Sequence, residues 1–217
     1  DNLKYGLPIF EELNVPVLTF VNTHYVMTDT HLWWLKLGNE IFEKNLEIDK
    51  TDEKLKLFFL KRRDLINRHI SKWTEDVDLK NVTTKTNEIM SPNELLEFSR
   101  SPLVTLGAHT HKHISLRIHT DREIYDDLTK NIHEINSMTN KSVKYFAYPY
   151  GSSAEVKDCT NIFEDLKIAA AFTTKSEFYN YDCSKFMIPR ISIDDKTTPQ
   201  AILRHFVKLK ICKFIGK

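Results

Sequence analysis

At 217 residues the chain can bury one sizeable hydrophobic core, and a single domain is expected. Its 31 basic and 30 acidic residues give a formal net charge of +1, which argues against a nucleic-acid-binding surface spread over the domain. The cysteines Cys159, Cys183 and Cys212 are odd in number and lack Cys-x-x-Cys spacing, which argues against a disulfide framework or a cysteine-ligated zinc site. This pattern and the basic C-terminal residues lean towards a reducing, cytoplasmic compartment.

The N-terminal segment predicts a helix followed by a strand. Apolar residues recur at helical spacing over residues 7–13, with Pro8 near the start and Asn14 as a stop signal. Residues 15–21 have the β-branched composition of a buried strand, and Pro16 fits its beginning. The next residues, 23–30, have the composition of a loop.

A mostly helical insertion is predicted at about 30–90, where Thr51 is a candidate N-cap of a long helix with a one-sided apolar stripe. Such a stripe is typical of packing against a core rather than of ligand binding. The adjacent Trp33 and Trp34 are candidate sugar-binding residues, because tryptophan pairs a broad apolar face with a polar N–H group; packing is the alternative.

Helices and strands alternate in the rest of the chain. Capping boxes predict helix starts at Ser91 and Thr120, and a further short helix is predicted at 163–167. Apolar runs predict strands, which lie at 103–106, 143–147, 168–173 and 187–193. Alternation over at least four units predicts an α/β fold whose sheet or barrel has mostly parallel strands.

The last predicted helix runs from about Pro199 to Phe214. Its basic residues accompany apolar ones and are Arg204, Lys208, Lys210, Lys213 and Lys217. It is either a packed terminal helix with a solvated basic edge or a peripheral contact to an anionic membrane. No apolar run in the sequence approaches the ~18 residues of a membrane-spanning helix.

Three histidines follow the strand predicted at 103–106, and strand ends are where α/β folds hold their chemistry. If the backbone turns helical after Ala108, His109 and His113 lie on one face and can share a metal, whereas His111 points elsewhere. The alternative is that all three are polar loop residues with no ligand role.

Two further strand ends carry candidate residues. The turn-forming sequence Tyr148-Pro149-Tyr150-Gly151 follows the strand at 143–147, and Arg190 lies in the last predicted strand. Since the carboxyl ends of parallel strands meet at one edge or barrel mouth, these groups can converge on the histidines. Two histidines and a carboxylate make an open zinc site, and a sharp turn can direct a backbone N–H at a developing oxyanion.

This combination resembles the NodB-type polysaccharide deacetylases, the fourth carbohydrate esterase family. Residues 107–113, Gly-Ala-His-Thr-His-Lys-His, match the family's His-[Ser/Thr]-x-x-His motif, and residues 146–151, Phe-Ala-Tyr-Pro-Tyr-Gly, match its Tyr-Pro-x-Gly motif. Residues 170–174 and 188–191 occupy the places of two later segments, and residues 7–23 look like the first helix and second strand. The resemblance covers nearly the whole chain except the insertion.

The resemblance implies a distorted (β/α) barrel with the helical insertion after its second strand. It also implies a divalent metal, commonly zinc with cobalt or nickel as alternatives, and hydrolytic removal of N-acetyl groups from a carbohydrate. By position, His109 and His113 become metal ligands, the Tyr150 N–H an oxyanion donor, and Arg190 a residue that orients catalytic or substrate groups. The expected substrate-binding residues are Tyr148, Pro149, Gly151, Trp33 and Trp34.

The chain departs from the family pattern at both ends. Residues 188–193 contain no histidine to match the general acid of the family's late Leu-x-His motif. The first motif, Thr-Phe-Asp-Asp-Gly-Tyr, which supplies the general base and a metal ligand, normally lies just before a segment like residues 1–8. We therefore expect the natural protein to continue upstream of Asp1, and a chain that truly began there to be inactive. The alternatives are a non-catalytic sugar-binding relative, which would use Trp33, Trp34 and Tyr148, and an aldolase or another metal-dependent barrel hydrolase.

Overall fold

A computed structural model of the chain describes residues 2–28, 89–152, 156–179, 183–193, 197–200, 202–204 and 207. Within them, four parallel strands form one sheet: β1 (Val17–Val21), β2 (Val104–Ala108), β3 (Tyr145–Ala147) and β4 (Ala170–Phe172). The strands are hydrogen-bonded in the sequential order β1-β2-β3-β4. A doubly wound sheet reverses its strand order, whereas the wall of a (β/α) barrel does not. The predicted α/β fold with a parallel sheet is confirmed.

Five helices accompany the described strands. They are α1 (Leu7–Glu12), α2 (Thr23–Thr28), α3 (Pro92–Ser99), α4 (Asp121–Thr139) and α5 (Thr160–Asp165), with a π-helical turn at Asn2–Gly6 and a 3-10 turn at Leu116–Ile118. The longest, α4, connects β2 to β3. Each crossover therefore returns the chain to the same end of the sheet, which leaves the carboxyl ends of the strands side by side.

Both predicted capping boxes are formed. Ser91 Oγ accepts the Glu94 N–H, and the Glu94 carboxylate accepts the Ser91 N–H at 2.8 Å. Thr120 and Glu123 repeat this arrangement at the start of α4, with the same 2.8 Å return bond. Because these bonds satisfy backbone donors that the first helical turn leaves unpaired, residues three apart determine where each helix begins.

The hydrophobic core lies between one face of the sheet and helices α3, α4 and α5. Alternate residues of β2 point into it, and the strand's intervening Thr105 is exposed. The largest apolar side chains in this layer are fully buried, namely Leu95, Phe98, Ile124, Leu128, Ile135, Phe146 and Phe163. The opposite face carries partly buried aromatic rings, with Phe172 between Phe20 at 5.6 Å and Tyr145 at 6.4 Å.

Two local expectations were wrong, and a condition set for the histidine loop is not met. Residues 23–28, expected to be a loop, form α2. The strand expected at 187–193 is reduced to one parallel bridge between Phe172 and Ile188, because the next donor of the ladder, the Arg190 N–H, bonds the Lys175 carbonyl and not that of Thr173. The backbone after Ala108 is not helical, and Thr110 and His113 instead adopt left-handed conformations.

Several predictions fall outside the described residues. The insertion at about 30–90 lies there, except for Ile89 and Met90, and so do Trp33 and Trp34. Most of the predicted C-terminal helix also lies there, although Pro199 and Gln200 are helical. In the part of the chain that the structure describes, no helix combines the length and the apolar character needed to cross a membrane.

Candidate active site

The candidate site lies at the carboxyl edge of the sheet, where the adjacent strands β2 and β3 end. Ala108 pairs with Phe146, so the loop that begins at His109 and the turn at 148–151 start next to each other. The convergence predicted for these two segments is therefore present.

His109, His113 and Tyr150 form a cluster of three rings at this edge. The ring centroids of His109 and His113 lie 4.8 Å apart, and those of His113 and Tyr150 lie 4.9 Å apart. Both contacts are edge-to-face, with interplanar angles of 81° and 80°. His113 is only 9% exposed, so its imidazole has little contact with solvent.

Backbone strain is concentrated in the two loops that hold the cluster. Thr110, His113 and Tyr150 have φ values of 63°, 56° and 64°, in the left-handed region. Among the described residues, the other non-glycine residues with positive φ follow helix ends, namely Asn14, Asn140 and Lys167. A left-handed side chain costs on the order of 1–3 kcal/mol and persists only where the surrounding structure enforces it. The site loops are held in such a conformation away from any helix end.

Burial keeps both site histidines neutral. It lowers the pKa of His109 to about 4, in spite of the opposing bond to Ala147, and the charge of nearby Arg190 adds to the lowering. Burial lowers the pKa of His113 to about 3, and the neighbouring His109 contributes. His109 Nδ1 lies 2.7 Å from the carbonyl oxygen of Ala147, which can only accept a hydrogen bond. The proton therefore sits on Nδ1, and Nε2 keeps the lone pair that a metal requires.

The two imidazoles fit a metal centre as part of its ligand set. Catalytic zinc takes three protein ligands and leaves one position open, and a neutral histidine oriented by a carbonyl is the usual nitrogen ligand. Within the described residues, no group of three or more His, Cys, Asp or Glu side chains is placed to hold a metal. His109 and His113 thus supply two ligands, and a complete centre needs further ones.

His111 faces the opposite side of the loop, as expected. Its Nδ1 lies 2.9 Å from Glu134 Oε2 and 3.0 Å from Thr23 Oγ1. Burial lowers the pKa of this imidazole, while the charge of Glu134 opposes the shift. His24, whose ring centroid is 5.3 Å away, completes a second polar cluster on the helix side. Sequence reasoning missed both residues, because Glu134 lies within a predicted helix and His24, although it follows the strand predicted at 15–21, was assigned to a loop.

Tyr148 packs in the core and not in the site. It is 2% exposed, and its hydroxyl donates to the Phe186 carbonyl at 3.1 Å. Its ring contacts Phe146 and Phe163, with centroids 5.2 and 5.7 Å away. The side chain therefore has a structural position, unlike the substrate-facing one expected from the motif.

Pro149 and Gly151 are buried parts of the turn itself. Gly151 has φ 50°, and a Cβ there would lie 2.8 Å from Thr174 Cγ2 and 2.9 Å from the Thr174 nitrogen. The Thr174 N–H donates to the Gly151 carbonyl at 2.8 Å, which ties the turn to the end of β4. These two residues shape the backbone around Tyr150 and present no side chain to a ligand.

Arg190 reaches the same end of the sheet from the segment beyond β4. Its Nε donates to the Thr173 carbonyl at 2.8 Å, and its guanidinium carbon lies 5.5 Å from the centroid of Phe20. Burial lowers the pKa of the guanidinium, which remains charged at neutral pH. Phe20 in turn lies 6.4 Å from the His109 ring. The expected approach of Arg190 to the histidines is thus present.

Phe20 is a site residue that sequence reasoning missed. Its ring lies over Gly107 of the neighbouring strand, where a Cβ would come within 2.6 Å of two ring atoms. Gly107 therefore opens the space that lets an aromatic ring stand beside His109. The available signal was the glycine inside a predicted strand, which often marks a close approach of another group.

Comparison with known proteins decides the family. The family described as polysaccharide deacetylase matches residues 1–171. The chain belongs to this family. The sequence resemblance to the NodB-type deacetylases is thereby confirmed, and the metal motif and the Tyr-Pro-x-Gly turn both lie within the matched range.

Solved structures of deacetylases share the fold of this family member. IcaB from Ammonifex degensii is 14% identical, with a TM-score of 0.59 over 94% of this chain and 67% of its own. The deacetylase PplD from Streptococcus pyogenes, in complex with acetate, is 13% identical, with a TM-score of 0.61 over 94% and 65%. A de-N-acetylase from Aggregatibacter actinomycetemcomitans is 14% identical, with a TM-score of 0.58 over 94% and 70%.

The chain spans about two thirds of the length of these solved structures. At such low identity the likeness concerns the fold alone. Comparison with curated proteins gave no significant match.

Proposed function

We propose that this protein is a metal-dependent hydrolase that removes N-acetyl groups from a carbohydrate. The observation that carries the proposal is the pair of neutral, buried imidazoles, His109 and His113, beside the Tyr150 turn at the carboxyl edge of the sheet. Membership of the polysaccharide deacetylase family supports a carbohydrate substrate and a deacetylation reaction. The acetate bound to the similar deacetylase PplD is the product that such a reaction releases.

His109 and His113 are the proposed metal ligands, with zinc as the first candidate and cobalt or nickel as alternatives. When bound, such a metal supplies Lewis acidity that polarises a carbonyl oxygen and lowers the pKa of water. The protein's own part is to keep both imidazoles neutral at physiological pH through burial and to orient His109 through the Ala147 carbonyl.

Tyr150 and Arg190 have separate proposed roles. The left-handed turn at Tyr150 directs its backbone N–H, which we assign to stabilise the oxyanion formed when the acetamide carbonyl is attacked. Arg190, anchored on Thr173 and Phe20, orients catalytic or substrate groups. Both roles depend on fixed geometry: the left-handed φ at Tyr150 and the two contacts that hold Arg190.

The general base and the remaining ligands are proposed to come from residues that precede Asp1, as the family pattern implies. Asp127 and Glu134 are the acidic residues bonded to the histidine loop, and both are engaged on its helix side. Asp127 accepts the N–H groups of His111 and Lys112, and Glu134 pairs with the His111 ring. Neither faces the His109–His113 pair.

The remaining predictions concern partners and location. Trp33 and Trp34 stay candidate sugar-binding residues, and peripheral membrane contact through the C-terminal helix and a cytoplasmic location also stay predictions. The sugar-binding alternative loses one of its residues, because Tyr148 is enclosed in the core.

Acetate release is the direct test. A protein that includes the residues preceding Asp1 should release acetate from N-acetylated oligosaccharides when zinc, cobalt or nickel is added. The His109→Ala variant should lose this activity, and removal of the metal with a chelator should abolish it reversibly. Sugar binding without acetate release under any of these metals would contradict the hydrolase and support the non-catalytic binder.

A further inference from the structure

One face of α4 holds the loop that carries the two proposed ligands. Asp127, Asn131 and Glu134 follow each other at intervals of four and three residues, which places them on the same side of the helix. Asp127 and Asn131 hydrogen-bond to residues at or just beyond the ends of β1 and β2, and Glu134 Oε2 lies 2.9 Å from the His111 ring nitrogen. Helix α4 thus packs against the hydrophobic core with one set of residues and contacts the loop after β2 with another. We call this second set, Asp127, Asn131 and Glu134, the polar stripe.

Asn131 is the centre of this polar stripe and is fully buried. Its Oδ1 accepts the His109 N–H at 3.0 Å, and its Nδ2 donates to the Val21 carbonyl and to Thr23 Oγ1, each at 3.0 Å. The amide orientation is fixed by these partners, since a backbone N–H can only donate and a carbonyl can only accept. One carboxamide therefore joins the ends of β1 and β2 directly behind the first proposed ligand.

Asp127 and Glu134 fix the middle of the loop. Asp127 accepts the His111 N–H at 2.6 Å and the Lys112 N–H at 3.3 Å. Glu134 Oε2 lies 2.9 Å from the His111 ring nitrogen. His111 is thereby held on the helix side, which leaves the residues two before and two after it to face the site.

These bonds contribute to the strained conformation of the loop. Thr110 and His113 hold left-handed φ values on either side of the segment that Asp127 and Glu134 fix. Asn22 adds a restraint from the other side, because its Nδ2 donates to the carbonyls of His109 and Thr110. Such strain persists only where several independent contacts impose it; the polar stripe supplies some of them, and Asn22, His24 and Tyr25 supply others.

We propose that Asn131, supported by Asp127 and Glu134, is a positioning residue that sets the orientation of His109 for its metal. The inference rests on the proposed function, because it assumes that His109 is a ligand. Partners of this kind behind a metal ligand typically change metal affinity by roughly 10–100-fold when they are mutated.

The experiment compares Asn131→Asp and Asp127→Asn with two matched controls in the full chain. Asn131→Asp keeps the acceptor for His109 but places an oxygen against the Val21 carbonyl. Asn136→Asp is its control, since Asn136 lies on the same helix and its Oδ1 accepts the Val143 N–H at 3.0 Å. Asp126→Asn is the control for Asp127→Asn, because Asp126 lies on the same helix, is exposed and pairs with Arg122.

Two readouts separate positioning from general stability. In the metal-free protein, nitrogen-15 spectra of the imidazoles should show a single Nδ1–H tautomer for His109, and Asn131→Asp should convert it to a mixture. Zinc affinity, measured against a competing chelator, should fall by roughly 10–100-fold in Asn131→Asp and by less in Asp127→Asn. Both controls should keep a zinc affinity within about twofold of that of the unmodified protein, a much smaller change than the one expected for a residue that positions a metal ligand.

A folded Asn131→Asp variant with an unchanged tautomer and unchanged zinc affinity would overturn the proposal. If Asn131→Asp does not fold, Asp127→Asn decides by the same two readouts, because it keeps the side-chain volume and one acceptor. The unmodified protein could bind no zinc while Asn131→Asp still converts the single His109 tautomer to a mixture. That result would uphold the positioning role and count against the proposed function.

Discussion

His113 contacts His109 on one side and Tyr150 on the other, both edge to face, with ring centroids 4.8 and 4.9 Å away. Neighbouring rings thus replace the water that would stabilise an imidazolium, so the pKa of His113 falls to about 3. His109 is held neutral in the same way. The pair offers two uncharged nitrogen donors at neutral pH, which is the protonation state that metal binding requires.

The first prediction concerns metal affinity. His109→Ala and His113→Ala should each lower zinc affinity by more than the roughly 10–100-fold expected when a residue behind a ligand, such as Asn131, is changed. The reason is that each substitution removes an atom that binds the metal. The measurement is a titration against a chromophoric chelator. His133→Ala is the matched control, since His133 is exposed on α4. Stoichiometric zinc retained by either site variant would refute the ligand assignment.

The second prediction is a pH dependence of stability. The ordinary histidine pKa is 6.5, whereas His109 and His113 have values of about 4 and about 3 in the folded chain. Between pH 6.5 and these folded-state pKa values, the two histidines bind protons in the unfolded chain but not in the folded one. The free energy of unfolding should therefore fall as pH drops below 6.5, by up to about 1.4 kcal/mol per pH unit for each histidine.

Asp127 opposes part of this trend, so a variant is needed to isolate the histidines. Burial raises the pKa of Asp127 to about 6, and the folded chain then holds a proton that the unfolded chain lacks as pH falls towards 4. His113→Gln should flatten the loss of stability on acidification, measured by urea unfolding from about pH 7 to about pH 4.5. Equal slopes in the variant and the unmodified chain would show that His113 is not held neutral.

The third prediction concerns the turn at Gly151. Gly151→Ala should lower the free energy of unfolding by roughly 1–3 kcal/mol, because the new Cβ meets Thr174 while the backbone keeps a positive φ. Gly6→Ala is the control, since Gly6 has φ −75° and only the Phe10 ring closer than 3.4 Å to its Cβ position. Urea unfolding measures both. A loss no larger than that of Gly6→Ala would contradict the strained turn.

The fourth prediction separates the two tyrosines of the Tyr-Pro-Tyr-Gly turn. Tyr148→Phe should lower stability by about 1 kcal/mol, because it leaves the buried Phe186 carbonyl without its donor, and it should leave zinc affinity unchanged. Tyr150→Phe should retain acetate release within about threefold, because the proposed oxyanion donor is the backbone N–H. Loss of activity in Tyr150→Phe would instead assign the catalytic role to its hydroxyl.

The sequence alone determined the elements whose signals are local. Ser91–Glu94 and Thr120–Glu123 form their capping boxes because the bonding atoms lie three residues apart, so no distant contact is needed. The strands near residues 17, 104, 145 and 170 follow from short apolar runs, and their alternation with helices implied a parallel sheet. The motif spacing was sufficient to place the chain in its family.

Tertiary structure decided which side chains face the site. The backbone after Ala108 is not helical, because Asp127 and Asn131 of α4 and Asn22 after β1 hold the loop in a different conformation, yet His109 and His113 still lie side by side without the helical turn on which the sequence argument depended. Tyr148 lies in the core for a comparable reason, because its ring packs against Phe163 and its hydroxyl donates to the Phe186 carbonyl. These outcomes depend on partners between 16 and 88 residues away along the chain, and such long-range contacts leave no periodic signal in the sequence.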